Sequence, residues 1–435
     1  MELRHSVRLD RDKCMGCTNC IKRCPTEAIR VRDGKARIAE LRCLDCGECI
    51  RACPHHAKSA TTDSYDRLGD FAYTIALAAP SLYAQFGPPA TRAMILAALR
   101  NTGFDDVREV AEGAEAVTAA TLAELRKPGA DTALPLISSA CPVVVRLVQM
   151  RFPGLIANLV PFDSPMEATA TVARRDAAVA TGLAPDRIGV FFISPCPAKR
   201  TAAHQPYGRE RTDVDGVIAI TDAYPRILSS LEKMDPSVVQ DFATRHLAGR
   251  DGIRWGNIGG ESLALGTDRF LAVDGIHSVI DILEEVESER LRDVVFIEAN
   301  SCIGGCIGGP LTVANRFTAR TRLKRSIDDA ATARPSHAEE DEAAAVLRWT
   351  VPLLPNHALM LDLDMEASLR KYEAMETVLK GLPGLDCGAC GAPDCSALAE
   401  DIARGEATES DCIVKLKELY KSIVLPETAP AGDRP

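Results

Sequence analysis

Aromatic residues are scarce, at 5% of 435 positions, and no uncharged apolar run approaches the ~18 residues of a membrane-spanning helix. Basic residues are not in excess either. The formal net charge is −10 and the pI near 5.4, which argues against a nucleic-acid partner. The opening residues, Met-Glu-Leu-Arg-His-Ser-Val-Arg-Leu-Asp, contain no apolar export core, so the expectation is a cytoplasmic chain with no membrane span. Apolar content is 46%, ample for a buried core, and the length predicts two to three domains. Cysteine is the abundant oddity. Sixteen fall in three groups: eight between Cys14 and Cys53, four between Cys141 and Cys306, four between Cys387 and Cys412. In a reducing compartment, clustered thiols are metal ligands more often than disulfides.

The first group is a duplication. Cys14-x2-Cys17-x2-Cys20-x3-Cys24-Pro25 recurs 29 residues later as Cys43-x2-Cys46-x2-Cys49-x3-Cys53-Pro54. The run resembles the bacterial two-cluster ferredoxin pattern, in which the fourth cysteine serves the other cluster. That assigns Cys14, Cys17, Cys20 and Cys53 to one [4Fe–4S] cluster and Cys43, Cys46, Cys49 and Cys24 to the second. Zinc uses four tetrahedral ligands, usually two C-x2-C pairs, and fits eight cysteines in this repeat poorly. An α+β ferredoxin-like module is expected over residues 1–65.

Residues 70–350 alternate apolar runs with helical patterns. Tyr73–Ala79, Leu134–Ile137, Ile188–Ile193, Val217–Ile220 and Val294–Ile297 are predicted strands; Ala90–Leu99, Ala116–Leu125, Ala168–Ala180 and Ile276–Leu283 are predicted helices. The alternation predicts an α/β domain with a largely parallel sheet, whose ligands sit at the strands' C-terminal ends. Three of the runs end shortly before a cysteine: Ile137 before Cys141, Ile193 before Cys196, and Ile297 before Cys302. Three loops are therefore expected to converge at one sheet edge. Cys302 and Cys306 are spaced i, i+4, one face of a helix if helical. Gly304, Gly305, Gly308 and Gly309 suggest close backbone approach to a bulky cofactor. Lys199, three residues after Cys196, is expected to face the thiols. Each cysteine alone could be a buried small hydrophobe, and Lys199 a surface residue. Four thiols at strand ends make that the weaker reading.

The segments Ser138-Ser-Ala140-Cys141-Pro142, Ser194-Pro-Cys196-Pro-Ala-Lys199 and Glu298-Ala-Asn300-Ser-Cys302-Ile-Gly-Gly-Cys306 resemble the three signature motifs of [FeFe]-hydrogenases. The resemblance implies that Cys141, Cys196, Cys302 and Cys306 hold a [4Fe–4S] subcluster. It implies that Cys306 bridges to a diiron subcluster bearing CO, cyanide and a dithiolate, that Lys199 hydrogen-bonds a cyanide, and that Gly305 and Ser194 border the cofactor. The implied reaction is reversible cleavage of H2 to protons and electrons, with hydrogenase maturases needed to build the diiron site. Four departures accompany it. Ala140 stands where the family carries its proton-donor cysteine, Ser194 and Asn300 where it carries methionines, and Ala120 and Thr121 near its proton-path acids. Together they resemble the family's sensory branch, with slow turnover reporting H2 or redox state to a partner protein.

Ala367–Lys380 is a predicted amphipathic helix, with Leu369, Tyr372, Met375 and Leu379 on one stripe. The array Cys387-x2-Cys390-x4-Cys395-x16-Cys412 follows, with a short helix over Ser396–Arg404. It resembles the small [4Fe–4S] domain of corrinoid iron–sulfur proteins and of membrane electron-transport subunits, and four-thiolate zinc is the competing reading. A small, mostly helical iron–sulfur domain is expected over 365–425, with a disordered tail at 426–435. Asp328–Glu342 suggests a solvated helix face or linker. Four [4Fe–4S] clusters are thus expected in all. The competing function is a diiron-free electron-transfer or iron–sulfur assembly protein.

Overall fold

A computed structural model describes residues 5–127, 133–234, 242, 248–331 and 335–424. The expected tail at 426–435 lies outside these. The chain folds as two compact units. One comprises Met1–Val7, Leu44–Gly47 and Ala60–Asn356; the other comprises Arg8–Cys43, Glu48–Ser59 and His357–Pro435.

In the larger unit, β1 (Tyr73–Ala78), β2 (Asp106–Glu109), β4 (Ile188–Ser194) and β5 (Gly216–Ala219) form a four-stranded sheet in the order β2-β1-β4-β5. All its pairings are parallel, with Tyr73 opposite Ile188 and Ile193 opposite Ile218. Both faces are covered. Ala76, Ala78, Phe191 and Ile193 enter one apolar core, while Ile75, Leu77, Val190 and Phe192 enter another. That is why these strands are continuous apolar runs with no polar alternation. β3 (Leu136–Ile137), β6 (Phe270–Asp274) and β7 (Phe296–Asn300) form a second parallel sheet in the order β6-β7-β3. The strands therefore belong to two sheets, and the three cysteine loops do not share one sheet edge. β2 and β6 were not legible as strands: Asp106-Val-Arg-Glu and Phe270-Leu-Ala-Val-Asp are short and charged at their ends.

The four helices expected in this unit are present, three of them longer than expected. Of the helices that serve the site below, α1 (Val110–Arg126) and α3 (Pro165–Thr181) were expected, whereas α2 (Pro142–Arg151) and α4 (Pro197–His204) were not. Asp328–Glu342 is not mere linker. From His337 to Leu347 the chain is a helix with a Ser336–Glu339 capping box, and its Ala343, Ala344 and Leu347 join the core beneath α1.

In the smaller unit, Ile29–Arg32 and Lys35–Ile38 make an antiparallel hairpin. Its turn, Asp33-Gly34, has φ of 54° and 68°, the twist that two-residue hairpins favour. The C-terminal segment contributes helices Met365–Gly381, Cys395–Ala403 and Ile413–Val424. Only half of the expected stripe on the first is packed. Met375 and Leu379 meet the core around Cys395, whereas Leu369 and Tyr372 are exposed.

Candidate metal centre

Cys141 and Cys196 are the N-caps of α2 and α4, each followed by proline at the first helical position. Proline there sacrifices no intrahelical bond, and a helix N-terminus favours the thiolate over the thiol. Cys141 follows β3, Cys196 follows β4, and Cys302 follows β7. These three cysteines and Cys306 line one cavity. Its other walls are mostly apolar, among them Val110, Pro142, Met166 and Phe192.

The Cys302–Cys306 segment is not α-helical. It turns through Gly304 and Gly305, at φ of 91° and 77°, into a 3-10 turn over Gly305–Gly308. Gly305 and Gly309 line the cavity and also press against protein backbone. A Cβ on Gly305 would lie 2.6 Å from the Ile258 nitrogen, and one on Gly309 would lie 2.4 Å from the Pro195 carbonyl oxygen. Only glycine combines that contact with a left-handed φ at 305. Gly305→Ala is expected to destabilise the unit by about 1–3 kcal/mol, read as a lowered Cm in urea.

Burial pushes the Cys196 thiol well above its ordinary range, with the neighbouring Cys302, Cys141 and Cys306 adding to it. Burial and the same neighbours push Cys306 up to about 12, against the pull of Lys199. Four thiolates around one cavity repel one another unless a cation neutralises them. A cation of high charge resolves this, and thiolate sulfur is a soft ligand suited to iron or zinc. Lys199 tells the same story from the other side. Its ammonium is buried and donates to the Ala140 carbonyl at 3.1 Å. Burial lowers its pKa, while the sulfurs of Cys306, Cys196 and Cys141 hold it up. An ammonium has three donors, so others are left for an acceptor in the cavity. Ser81, just after β1, is fully buried on the same wall, and its hydroxyl has no partner among the described residues. The donor set fits an anionic, thiolate-bound cluster with a further polar group beside it.

The sequence reading missed three of these residues. Ser81 could have been found, because Pro80-Ser81 follows β1 much as Pro195-Cys196 follows β4. Glu261 and Glu298 are buried cavity-wall carboxylates. Glu261 accepts from the Ser138 hydroxyl at 2.6 Å, and Glu298 accepts from the Gly259 and Ser262 amides at 2.8 and 2.9 Å. Burial, reinforced by the charge of Glu298, raises Glu261 well above the usual carboxylate range. Ala140 and Asn300 are also on the wall. Ser194 is not. Its hydroxyl accepts from the Cys196 amide at 3.1 Å and reaches the Cys196 carbonyl at 3.0 Å, which fixes the turn that presents the sulfur. Ala120 and Thr121 are buried in α1, and the Thr121 hydroxyl donates to the Val117 carbonyl.

Residues 72–249 match the family described as iron only hydrogenase large subunit, C-terminal domain. That segment is similar to the iron-only hydrogenases. Residues 6–54 match a 4Fe-4S dicluster domain and residues 382–414 a putative Fe-S cluster domain. The chain is similar to the periplasmic [Fe] hydrogenase large subunit of Nitratidesulfovibrio vulgaris, at 32% identity over 46% of this chain and 52% of that one. It is similar to iron hydrogenase 1 of Clostridium pasteurianum, at 25% identity over 49% of this chain and 44% of that one. The matches thus span about half the length of these relatives. In fold it resembles an apo [FeFe]-hydrogenase of Chlamydomonas reinhardtii, with TM-score 0.50 and 16% identity over 66% of this chain and 95% of that one. No helix among the described residues is long and apolar enough to cross a membrane.

Part of the ferredoxin-like repeat, Leu44–Gly47, belongs to the larger unit. Asp45 is buried and accepts from the Ser6 and Val7 amides at 2.9 Å and from the Thr201 hydroxyl at 2.5 Å, on α4 just beyond Lys199. A Cβ on Gly47 would lie 2.5 Å from the Pro310 ring, next to Gly309. The loop carrying Cys46 is therefore fixed against the second and third motifs.

In the smaller unit, Cys14, Cys17, Cys20 and Cys53 line one small cavity with Lys58. Backbone amides point at their sulfurs: Ala36 at Cys14, 3.4 Å, and Ala57 at Cys53, 3.3 Å. The Ala28 amide likewise donates to Cys24 at 3.2 Å. Lys58 is buried, its ammonium lacks a hydrogen-bond partner among the described residues, and its charge is felt by Cys14, Cys20 and Cys49. A positive charge so placed stabilises the more negative, reduced cluster. Lys58→Met is expected to lower the midpoint potentials by on the order of tens of millivolts, read by redox titration. At the C-terminal site Cys390, Cys395 and Cys412 share one apolar cluster, and Cys387 is exposed.

Proposed function

We propose that the chain is an iron–sulfur redox protein that cleaves H2 reversibly and slowly, and that this slow chemistry serves to sense H2 or redox state. The observation that carries the reading is the single cavity ringed by Cys141, Cys196, Cys302, Cys306 and the buried Lys199, with Ala140 on its wall. Those cysteines would hold a [4Fe–4S] subcluster, with Cys306 bridging to a diiron subcluster bearing CO, cyanide and a dithiolate. When bound, that group supplies the iron at which H2 is split to two protons and two electrons.

The chain's own residues do the rest. Lys199 offers its remaining N–H donors to an anionic ligand such as cyanide and balances its charge. Val110, Met166 and Phe192 keep water from the reacting position. Ala140 has only a methyl group and cannot carry a proton. Glu261, whose carboxyl burial pushes toward the protonated form and which Ser138 holds in place, is the proton carrier, with Glu298 beside it. A single relay on one wall accounts for turnover that is slow but not zero. Electrons would pass by way of the Cys46 loop, whose anchoring by Asp45 and Gly47 fixes it beside the motifs. The ferredoxin clusters keep the ligand sets assigned above, and the C-terminal cysteines would hold a fourth [4Fe–4S] cluster. A cytoplasmic setting, hydrogenase maturases and a partner protein receiving the output complete the proposal.

Isotope exchange tests it without a redox partner. Protein matured with hydrogenase maturases and placed under D2 in ordinary water is expected to form HD, and Cys306→Ser is expected to abolish it. Formation of HD no faster than in protein-free buffer would favour the diiron-free electron-transfer reading.

A further inference from the structure

The C-terminal iron–sulfur domain does not hang free; within the smaller unit it is docked on the ferredoxin repeat. The hairpin strand Ile29–Arg32 meets the loop that carries Cys387, Cys390 and Cys395. The Val31 amide donates to the Gly391 carbonyl at 2.8 Å, and the Arg32 guanidinium donates to the Cys390 carbonyl at 3.0 Å. A Cβ on Gly391 would lie 1.9 Å from the Val31 carbonyl oxygen, so the two backbones touch. Lys22, between Cys20 and Cys24 in sequence, donates to the carbonyls of Asp386 and Pro393, on either side of Cys387 and Cys390. Charges fix the pose. Asp401 is buried between Arg30 and Arg32, at 2.8 and 2.5 Å, and Glu400 pairs with Arg42 and Arg404. Two carboxylates, each held by two arginines, make a specific seat.

The juxtaposition has a direction. Cys390 faces the ferredoxin side through its carbonyl, while Cys387 is the exposed member of the C-terminal set. We infer that the C-terminal cluster exchanges electrons directly with the ferredoxin pair across the Lys22 and Val31–Gly391 contact, and that it is the solvent-side terminal of the chain. One electron moves per event: the cluster on one side of the contact is oxidised as that on the other is reduced. No bond forms and no proton moves. The outside reactant is a one-electron carrier protein, which takes or gives that electron at the Cys387 edge. This rests on the iron–sulfur part of the proposed function, not on its diiron part.

The test uses full-length protein with its iron–sulfur clusters loaded, fully reduced, and read by electron paramagnetic resonance. Directly adjacent reduced clusters broaden and split one another's signals. The ferredoxin signals of the wild-type chain are expected to show that interaction. Cys412→Ser, which empties the C-terminal site, is expected to lose it. Lys22→Ala combined with Asp401→Asn is expected to lose it while the iron content per chain stays at the wild-type value. Ferredoxin signals that are identical in the wild type and Cys412→Ser would overturn the inference, as would zinc in the C-terminal site. Neither outcome depends on H2 chemistry, so failure here is distinguishable from failure to form HD.

Discussion

Glu261→Gln is expected to cut H2 turnover by roughly 10²–10⁴-fold, the usual loss when a positioned proton carrier is removed. Glutamine keeps the volume and can still accept from the Ser138 hydroxyl, but it carries no exchangeable acid proton. The cluster-binding residues are untouched, so iron content should be unchanged. The same variant has an opposite effect on apoprotein stability. Burial raises the Glu261 pKa above its unfolded value, so the native state holds a proton that the unfolded chain releases. Stability from this group is complete below about pH 4, where both states are protonated, and falls as pH rises above that range. Glutamine imitates the protonated form at every pH. The Tm of Glu261→Gln apoprotein should match the wild type near pH 4 and exceed it near pH 7. Lower turnover with higher stability separates a lost proton carrier from a damaged fold.

Ala140→Cys is expected to raise turnover by about 10²-fold or more, as a thiol returns to the cavity wall. Ala140 already lies beside the relay: its amide donates to the Ser138 hydroxyl at 3.3 Å, and that hydroxyl donates to Glu261. A new thiol would therefore sit between an existing proton carrier and the reacting position. If the gain requires that relay, Ala140→Cys combined with Glu261→Gln should fall well short of Ala140→Cys alone. Absence of any gain would place the block in proton delivery elsewhere, or mean that no diiron group is bound. Hydrogen evolution from a chemical reductant, measured for the wild type and the three variants side by side, decides between these outcomes.

What the chain displayed in advance was its cysteine spacing, and the physical reason is local. Metal-binding loops fix ligand spacing within a few residues, so Cys14 to Cys24 and Cys43 to Cys53 announce themselves. The strand ends before Cys141, Cys196 and Cys302 were visible because the strands are buried on both faces and therefore continuously apolar. The division into two sheets was not visible, since it depends on which strands pair, and β2, with one apolar residue in four, does not read as a strand. Glu261 was hidden for a similar reason. Its significance comes from Ser138 and Glu298, both far away in sequence, and from burial that a glutamate in a Gly-Gly-Glu-Ser stretch does not suggest. Ser194 shows the converse. A residue at a motif position invites a cofactor role, but its hydroxyl is engaged with the backbone of Cys196. The docking of the C-terminal domain was likewise illegible, because Asp401 reads as an ordinary helix-surface acid until Arg30 and Arg32 close over it.

Infrared spectroscopy of full-length protein matured with hydrogenase maturases tests the central claim most directly, because the carbonyl and cyanide ligands absorb where protein does not. Sharp bands of both kinds, lost in Cys306→Ser, are the predicted result. A brown, iron-loaded protein whose spectrum is blank in that window would contradict it, and a colourless protein loaded with zinc would contradict the iron–sulfur reading as a whole.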